Sequence, residues 1–272
     1  MCRILGCVAR EPVSLRSELL AAENPLIRQS EDHDSGWGMA VYPRADGQEP
    51  ASVRFPRAAH TDQGFGPATE LRGRIFNVHV RRATMGGLTL ENTHPFCYGN
   101  YSFGHNGTIL NFARLLDRDV TPARGQTDSE HFFNFLMHDL DPADIPGTLR
   151  RAVKAVIDRS AFSGLNFLFS DGERLYAYRL GIFELFWLSR PSQLLVASER
   201  LTAEPWHAVQ QDVLLVLDPD DLEEPHAERL VGDDDLGRAT IVKVEEGAEL
   251  RGDARGAFAA DRASRISGGQ HE

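Results

Sequence analysis

A cysteine stands directly after the initiator methionine, at Cys2. Cytosolic aminopeptidases remove methionine when the next side chain is small, so we expect Met1 to be removed. Cys2 would then carry both a thiol, with an ordinary pKa of about 8.5, and a free α-amine, with one of about 7.7–8.0. An amine that titrates near neutral pH can act as general base for the thiol beside it. Cys2 is therefore a candidate nucleophile, although many proteins begin Met-Cys by chance.

A strand predicted over residues 74–82 alternates apolar and polar side chains, so each kind occupies one face. The polar face carries Asn77, His79 and Arg81. Such a face is either half solvated or turned toward a polar site. The strand predicted at 101–105 ends in Asn106-Gly107, a strong turn dipeptide. Asp128 lies in a Thr-Asp-Ser-Glu sequence that matches a helix capping box.

The predicted elements run in the order strands, helices and strands again. The first strands are predicted at residues 2–9, 39–42, 52–55, 74–82 and 101–105. Helices are predicted at 14–22, after Thr127 and at about 146–159. Later strands are predicted at 165–169, 174–180, 182–188, 194–197 and 213–217. This order indicates an α+β protein in which two sheets stack with helices outside them.

Two glycines flank a tryptophan in Gly36-Trp37-Gly38, at the start of a predicted strand. One interpretation is a close approach of the backbone to another group. The other is a glycine-relieved bend that packs Trp37 into the core. The sequence favours neither over the other.

The bulk composition excludes several classes of protein. The 272 residues carry 29 basic and 40 acidic side chains, a net charge of −11, which argues against binding to nucleic acid or to an anionic membrane. No apolar stretch approaches the length of about 20 residues that a membrane span needs. The three cysteines form no CxxC pair and no metal-ligand spacing, so we expect a reducing, cytoplasmic location and no metal or cofactor.

Six sequence features occur together and in a fixed order. They are Met1-Cys2, Gly36-Trp37-Gly38, His79-Val80-Arg81-Arg82-Ala83-Thr84, Asn92-Thr93-His94-Pro95-Phe96, Gly104-His105-Asn106-Gly107 and Thr127-Asp128-Ser129-Glu130. With these features the chain resembles the class II glutamine amidotransferase domain, an N-terminal-nucleophile amidohydrolase, over roughly residues 2–220. The resemblance implies a four-layer αββα sandwich of two stacked, mainly antiparallel sheets. It also implies cleavage of the γ-glutamyl amide of glutamine.

The resemblance assigns roles to individual residues. Cys2 would attack the amide carbon to form a thioester, and its amine would carry the proton. Asn106 and Gly107 would form the oxyanion hole. Arg81, assisted by Thr84, would hold the substrate α-carboxylate, where a guanidinium gives two charge-assisted hydrogen bonds. Asp128 would pair with the α-ammonium group, so that the site supplies both charges an amino-acid head requires.

Each candidate also has an alternative interpretation. Asp128 can have no role other than to stabilise the N-terminus of the helix, where acidic residues are favoured. Arg81 can be a surface strand residue, and Asn106-Gly107 can be a type I′ hairpin turn. Cys97 is the rival nucleophile, but no base is evident beside it. We interpret three histidines that the chemistry does not require as structural, namely His79, His94 and His105.

Residues 2–231 are predicted to form the amidotransferase domain, and residues 232–272 an acidic, polar and partly mobile extension. Residues 221–272 are too short for a second catalytic domain, so the resemblance is to the stand-alone members. Some members hydrolyse γ-glutamyl peptides or thiols, as in ergothioneine biosynthesis or glutathione breakdown, and others supply ammonia to a separate synthetase subunit. A non-catalytic regulatory module is the third alternative. Segments 43–72 and 111–126 are expected to shape the leaving-group pocket.

Overall fold

The computed structural model describes residues 2–112 and 123–244, so part of the segment 111–126 lies outside the described residues. The strands are β1 (Arg3–Val13), β2 (Trp37–Tyr42), β3 (Ala51–Phe55), β4 (Gly73–Val80), β5 (Phe96–Tyr98), β6 (Tyr101–Asn106), β7 (Ala161–Phe162), β8 (Asn166–Ser170), β9 (Leu175–Arg179), β10 (Phe186–Arg190), β11 (Gln193–Ala197), β12 (His207–Ala208), β13 (Val213–Asp218), β14 (Asp221–Arg229) and β15 (Thr240–Ile241). The helices are α1 (Leu26–Gln29), α2 (Phe65–Ala68), α3 (Asp128–His138), α4 (Ile145–Arg159) and α5 (Asp233–Leu236).

The strands form two main sheets. One has the order β12-β10-β11-β1-β4-β2-β3, and the other has the order β14-β13-β9-β8-β6-β5. The strand pairs within both sheets are antiparallel. Ile4 and Val8 of β1 pack between the sheets against Leu168 of β8 and Ala177 of β9. This shared apolar layer stacks the sheets face to face.

Helical segments cover the outer faces of both sheets. On one side, Phe132 of α3 and Leu149 of α4 pack in the same cluster as Phe103 of β6. On the other side, Leu26 of α1 and Phe65 of α2 pack with the strands of the seven-stranded sheet. The predicted four-layer αββα sandwich is thus confirmed, with one of its outer layers reduced to short helical segments. Within residues 2–112 and 123–244, no helix has both the length and the apolar character that crossing a bilayer requires.

Among the predicted elements, the strand at 182–188 and the helix at 14–22 differ most from what the structure shows. Residues 182–185 precede β10 instead of belonging to it, because the Asn166 side chain donates to the carbonyls of Phe183 (3.2 Å) and Glu184 (3.1 Å). The helix predicted at 14–22 is a five-residue π-helical turn, Ser17–Ala21. Neither departure changes the order of the layers.

One of the two hydrogen bonds of a capping box is present before α3. The Thr127 hydroxyl accepts from the Glu130 backbone N–H at 3.2 Å, as the sequence predicts. The Glu130 carboxylate, however, accepts from the backbone N–H groups of Arg124 (2.8 Å) and Gly125 (2.7 Å). Glu130 therefore fixes the turn that leads into α3.

Residues 233–244 pack onto the rest of the molecule. Lys154 of α4 pairs with Asp235 at 2.6 Å, and the Val242 N–H donates to the Phe162 carbonyl at 2.9 Å. Strand β15 adds to β7 in parallel, and Leu236 and Ile241 lie against the helical side of the core. Residues 233–244 therefore contact the domain that is predicted to end at residue 231. Residues 245–272 lie outside the described residues.

We expect a chain truncated after Val231 to unfold at a lower temperature than a chain truncated after Val244. The shorter chain loses the β7–β15 hydrogen bonding, about 1–3 kcal/mol, and with it the Lys154–Asp235 pair. For a domain of this size that loss lowers Tm by about 2–12 °C, measurable by calorimetry. Equal Tm values for the two chains would show that residues 232–244 do not stabilise the fold.

Candidate active site

Cys2 lies at the end of the central strands of the seven-stranded sheet. The register of β1 and β4 pairs Arg3 with Val80, which places Cys2 level with Arg81. The Cys2 side chain is 9% exposed, and its thiol lies 3.6 Å from the Arg82 carbonyl. Burial raises the pKa of the Cys2 thiol, and the nearby Arg81 charge opposes that rise. The resting sulfur is therefore a neutral thiol, which needs a base before it can attack.

Arg81 is 2% exposed and points into the loop that follows it. Its guanidinium donates to the carbonyls of Met85 (2.6 Å), Gly86 (3.3 Å) and Gly87 (3.1 Å). Its backbone N–H donates to the Gly36 carbonyl at 2.7 Å, which extends the β2–β4 ladder by one residue. The alternative of a surface strand residue is therefore wrong for Arg81.

Asp128 is the first residue of α3 and is 3% exposed. Its carboxylate accepts from the backbone N–H of Ile109 at 2.7 Å. Burial raises the pKa of the Asp128 carboxyl to about 6, against the opposing effects of the Ile109 hydrogen bond and the Arg81 charge. The β1–β4 register sets Arg81 level with Cys2, and the Asp128 carboxylate is hydrogen-bonded to Ile109, two residues after Gly107. The charges of Arg81 and Asp128 also both act on the Cys2 thiol.

Asn106 is the last residue of β6, and Gly107 follows it directly. A side chain at position 107 would place its Cβ 1.9 Å from the Gly164 carbonyl oxygen, so only glycine fits there. Neither residue has a positive φ, whereas a type I′ turn requires positive φ at both positions, so the hairpin interpretation is wrong. The Asn106 Oδ1 atom is buried with no hydrogen-bond partner among the described residues.

Thr84 joins the loop after Arg81 to this corner. Its hydroxyl lies 3.2 Å from the hydroxyl of Thr108, the residue after Gly107. Thr108 is itself held by the Ser163 hydroxyl, which accepts from the Thr108 backbone N–H at 3.0 Å. Contacts therefore run from the Arg81 loop to the predicted oxyanion corner.

The three histidines are buried around the site. His105 Nδ1 accepts from the Ser129 hydroxyl (2.8 Å) and its Nε2 donates to the Gly164 carbonyl (3.1 Å). The rings of His79 and His94 stack with centroids 4.1 Å apart. Burial lowers the pKa of His105 to about 4 and that of His79 to about 3, so both are neutral at pH 7. Their contacts agree with the structural interpretation.

The remaining sequence candidates lie outside this cluster. Cys97 is exposed on β5, at the edge of the six-stranded sheet. Trp37 is fully buried and donates to Asp62 at 3.0 Å, as the core interpretation predicts. A Cβ at Gly38 would lie 2.3 Å from the His94 carbonyl, so both interpretations of the Gly-Trp-Gly sequence hold.

Two supporting residues were not singled out from the sequence. Gly164 packs against the Asn106-Gly107 corner, and Asn92 links two loops of the site. Gly164 carried no signal, because nothing in the sequence shows which chain segment lies against Gly107. Asn92 stood in a quoted motif, but its role depends on contacts with residues that are distant along the chain.

A sequence profile of the class II glutamine amidotransferases matches residues 1–192. The chain therefore belongs to the class II glutamine amidotransferase family, as the motifs predicted. It is 28% identical over 213 residues to the putative glutamine amidotransferase YafJ of Escherichia coli, a match that covers 73% of this chain and 80% of that protein. It is 32% identical over 204 residues to an uncharacterized protein of Methanocaldococcus jannaschii, covering 70% of this chain and only 54% of that relative.

Solved structures share the fold at lower identity. A glutamine aminotransferase class-II domain protein from Silicibacter pomeroyi matches with a TM-score of 0.62 at 20% identity, over 85% of this chain and 99% of that one. A glutamine phosphoribosylpyrophosphate amidotransferase from Bacillus subtilis matches with a TM-score of 0.65 at 17% identity, over 85% of this chain and 50% of that one. These likenesses confirm the expected N-terminal-nucleophile hydrolase fold.

Proposed function

We propose that this protein is an amidohydrolase that cleaves a γ-glutamyl amide, with free glutamine as the simplest substrate. The observation that carries the proposal is the gathering of a buried thiol, a buried cation and a buried anion at Cys2, Arg81 and Asp128. Burial of unlike charges is costly, so their convergence beside a thiol supports a binding role. Removal of Met1 belongs to the proposal and fits a cytoplasmic protein.

The two charges suit an amino-acid head. Arg81 would take the α-carboxylate through paired N–H donors, assisted by Thr84, and Asp128 would take the α-ammonium group. Both groups are nearly dry, which strengthens their attraction for a charged ligand relative to water. The γ-carbonyl of a glutamyl group held in this way would extend toward Cys2.

The reaction proceeds in two halves. The Cys2 amine takes the thiol proton, and the sulfur adds to the amide carbon to give a tetrahedral oxyanion. The Asn106 side-chain amide and the Gly107 N–H stabilise that oxyanion, and such donors are typically worth about 2.7–4 kcal/mol each. The C–N bond breaks as the amine returns its proton to the leaving nitrogen, which departs as ammonia and leaves a thioester. Water then adds to the thioester, and glutamate and the free thiol are released.

A panel of γ-glutamyl substrates tests the proposal, with glutamate release as the readout. Glutamine, γ-glutamyl dipeptides and γ-glutamyl thiol conjugates should separate a glutaminase from a peptide or thiol-conjugate hydrolase. Glutamine hydrolysis that appears only with an added synthetase would assign an ammonia-supplying subunit. Absence of glutamate release from every member, by protein that begins at Cys2, would favour the regulatory module and contradict the proposal.

The ionisation of Asp128 predicts a pH dependence. Its carboxyl has a pKa of about 6, so below that pH it gains a proton and loses its attraction for the α-ammonium group. Protonation of the Cys2 amine, with a pKa of about 7.7–8.0, should make log(kcat/KM) for glutamine fall with a slope of one as the pH decreases. Below about pH 6, protonation of Asp128 should increase that slope to about two. Asp128→Asn should remove the additional slope and give a low kcat/KM throughout. An unchanged profile in Asp128→Asn would show that another group titrates there.

A further inference from the structure

Asn92 lies between the two loops that carry the charged residues of the site, and it is 2% exposed. Its side-chain Nδ2 donates to the Gly87 carbonyl at 3.1 Å, in the loop that follows Arg81. Its Oδ1 accepts from the Gln126 backbone N–H at 2.7 Å, in the turn that precedes α3. One amide group therefore bridges the loop that follows Arg81 and the turn that precedes α3.

The bridge reaches both charged groups by short paths. The Gly87 carbonyl accepts from Asn92 and also from Arg81 Nη1, each at 3.1 Å. At the other end, Gln126 stands two residues before Asp128. A continuous run of hydrogen bonds and backbone thus links the Arg81 guanidinium to the Asp128 carboxylate through a single side chain.

Two glycines enclose the Asn92 amide and leave it little freedom to move. Gly86 has φ of +74°, and a Cβ there would lie 2.9 Å from Asn92 Nδ2. A Cβ at Gly125 would lie 2.4 Å from Asn92 Oδ1. The Glu130 carboxylate holds the same turn through the N–H groups of Arg124 and Gly125. The bridge is therefore packed on both sides as well as hydrogen-bonded.

We propose that Asn92 is a positioning residue that sets the spacing between Arg81 and Asp128, and thereby makes the site selective for ligands with a complete α-amino-acid head. The inference rests on the proposed function, because the two charges must bind one ligand. A head of fixed size needs its cation and anion partners at one separation, and a misplacement of about 1 Å can cost 10²-fold in rate. The sulfur chemistry at Cys2 does not depend on this spacing.

The test compares wild type with Asn92→Asp, which keeps the size and the acceptor for Gln126 but removes the donor to Gly87. We expect kcat/KM for glutamine to fall at least 10-fold, mainly through KM. For glutaramate, the glutamine analogue without the α-amine, kcat/KM should change little, so the selectivity ratio collapses. Cys2 labelling by a glutamine-mimicking diazoketone should slow at least 10-fold, while labelling by iodoacetamide, which has no such head, should stay unchanged.

Asn100→Asp is the matched control, because Asn100 Nδ2 donates to the Asp171 carbonyl at 2.6 Å beyond the far end of β6. It should leave the selectivity ratio unchanged. Asn92→Ser gives a second measurement if the Asp variant does not fold. An unchanged ratio in an Asn92 variant, or an equal loss of labelling by both reagents, would overturn the inference. Wild type that cleaves no γ-glutamyl substrate would instead overturn the proposed function itself.

Discussion

Cys2→Ala is expected to abolish glutamate release from glutamine, lowering kcat by at least about 10⁴-fold. The change removes the sulfur alone: methionine is also removed before alanine, so the α-amine at residue 2 remains. Glutamine should still bind, because Arg81 and Asp128 are untouched. Activity assays give the first result, and calorimetric titration with glutamine gives the second.

Cys97→Ala is the control for this prediction, because Cys97 is the other cysteine considered as nucleophile and is exposed on an edge strand. It should keep full activity. Turnover that survives in Cys2→Ala and disappears in Cys97→Ala would identify Cys97 as the nucleophile. Loss of glutamine binding in Cys2→Ala would show that the sulfur also contributes to the ground-state complex.

A chain with extra residues before Cys2 is expected to be inactive as long as the extension is present. The extension places the Cys2 nitrogen in a peptide bond, where it can no longer accept a proton. The buried thiol then has no base, and its raised pKa keeps it neutral near pH 7. We expect a loss of kcat of at least about 10²–10⁴-fold, the usual contribution of a positioned general base.

Cleavage of the extension directly before Cys2 should restore activity, and this rescue separates a missing amine from a misfolded chain. An equal extension after Glu272 is the matched control and should have no effect on catalysis. Full activity in the uncleaved chain would show that the α-amine is not the base. His33, which is buried and has its pKa lowered to about 4 mainly by burial and also by the Arg3 charge, would then be a base to test.

The sequence predicts most of the strands because their side chains alternate or form apolar runs. It does not predict β14, which pairs with β13 at the edge of the six-stranded sheet. Its residues 221–229 include Pro225 and are mostly charged, a composition that is typical of a loop. Proline and charge are tolerated on an edge strand, where one side of the backbone has no partner. Only the three-dimensional pairing reveals it.

The candidate site divides in a similar way. Residues that would touch substrate belong to short motifs, so Arg81 and Asp128 could be named from the sequence. Their supports could not, because contacts such as Gly107 with Gly164 join residues that are distant along the chain. The carbonyls that surround the Arg81 guanidinium are also invisible in a sequence, since every residue carries one. Positioning is thus a property of the fold more than of the motif.

The most direct test of the central claim is an intact-mass measurement on the purified protein after reaction with a glutamine-mimicking diazoketone, followed by peptide mapping. We predict a chain that lacks Met1 and carries one label, located on Cys2, with free glutamine slowing the labelling. A chain that keeps Met1, or a label located on Cys97, would contradict the account.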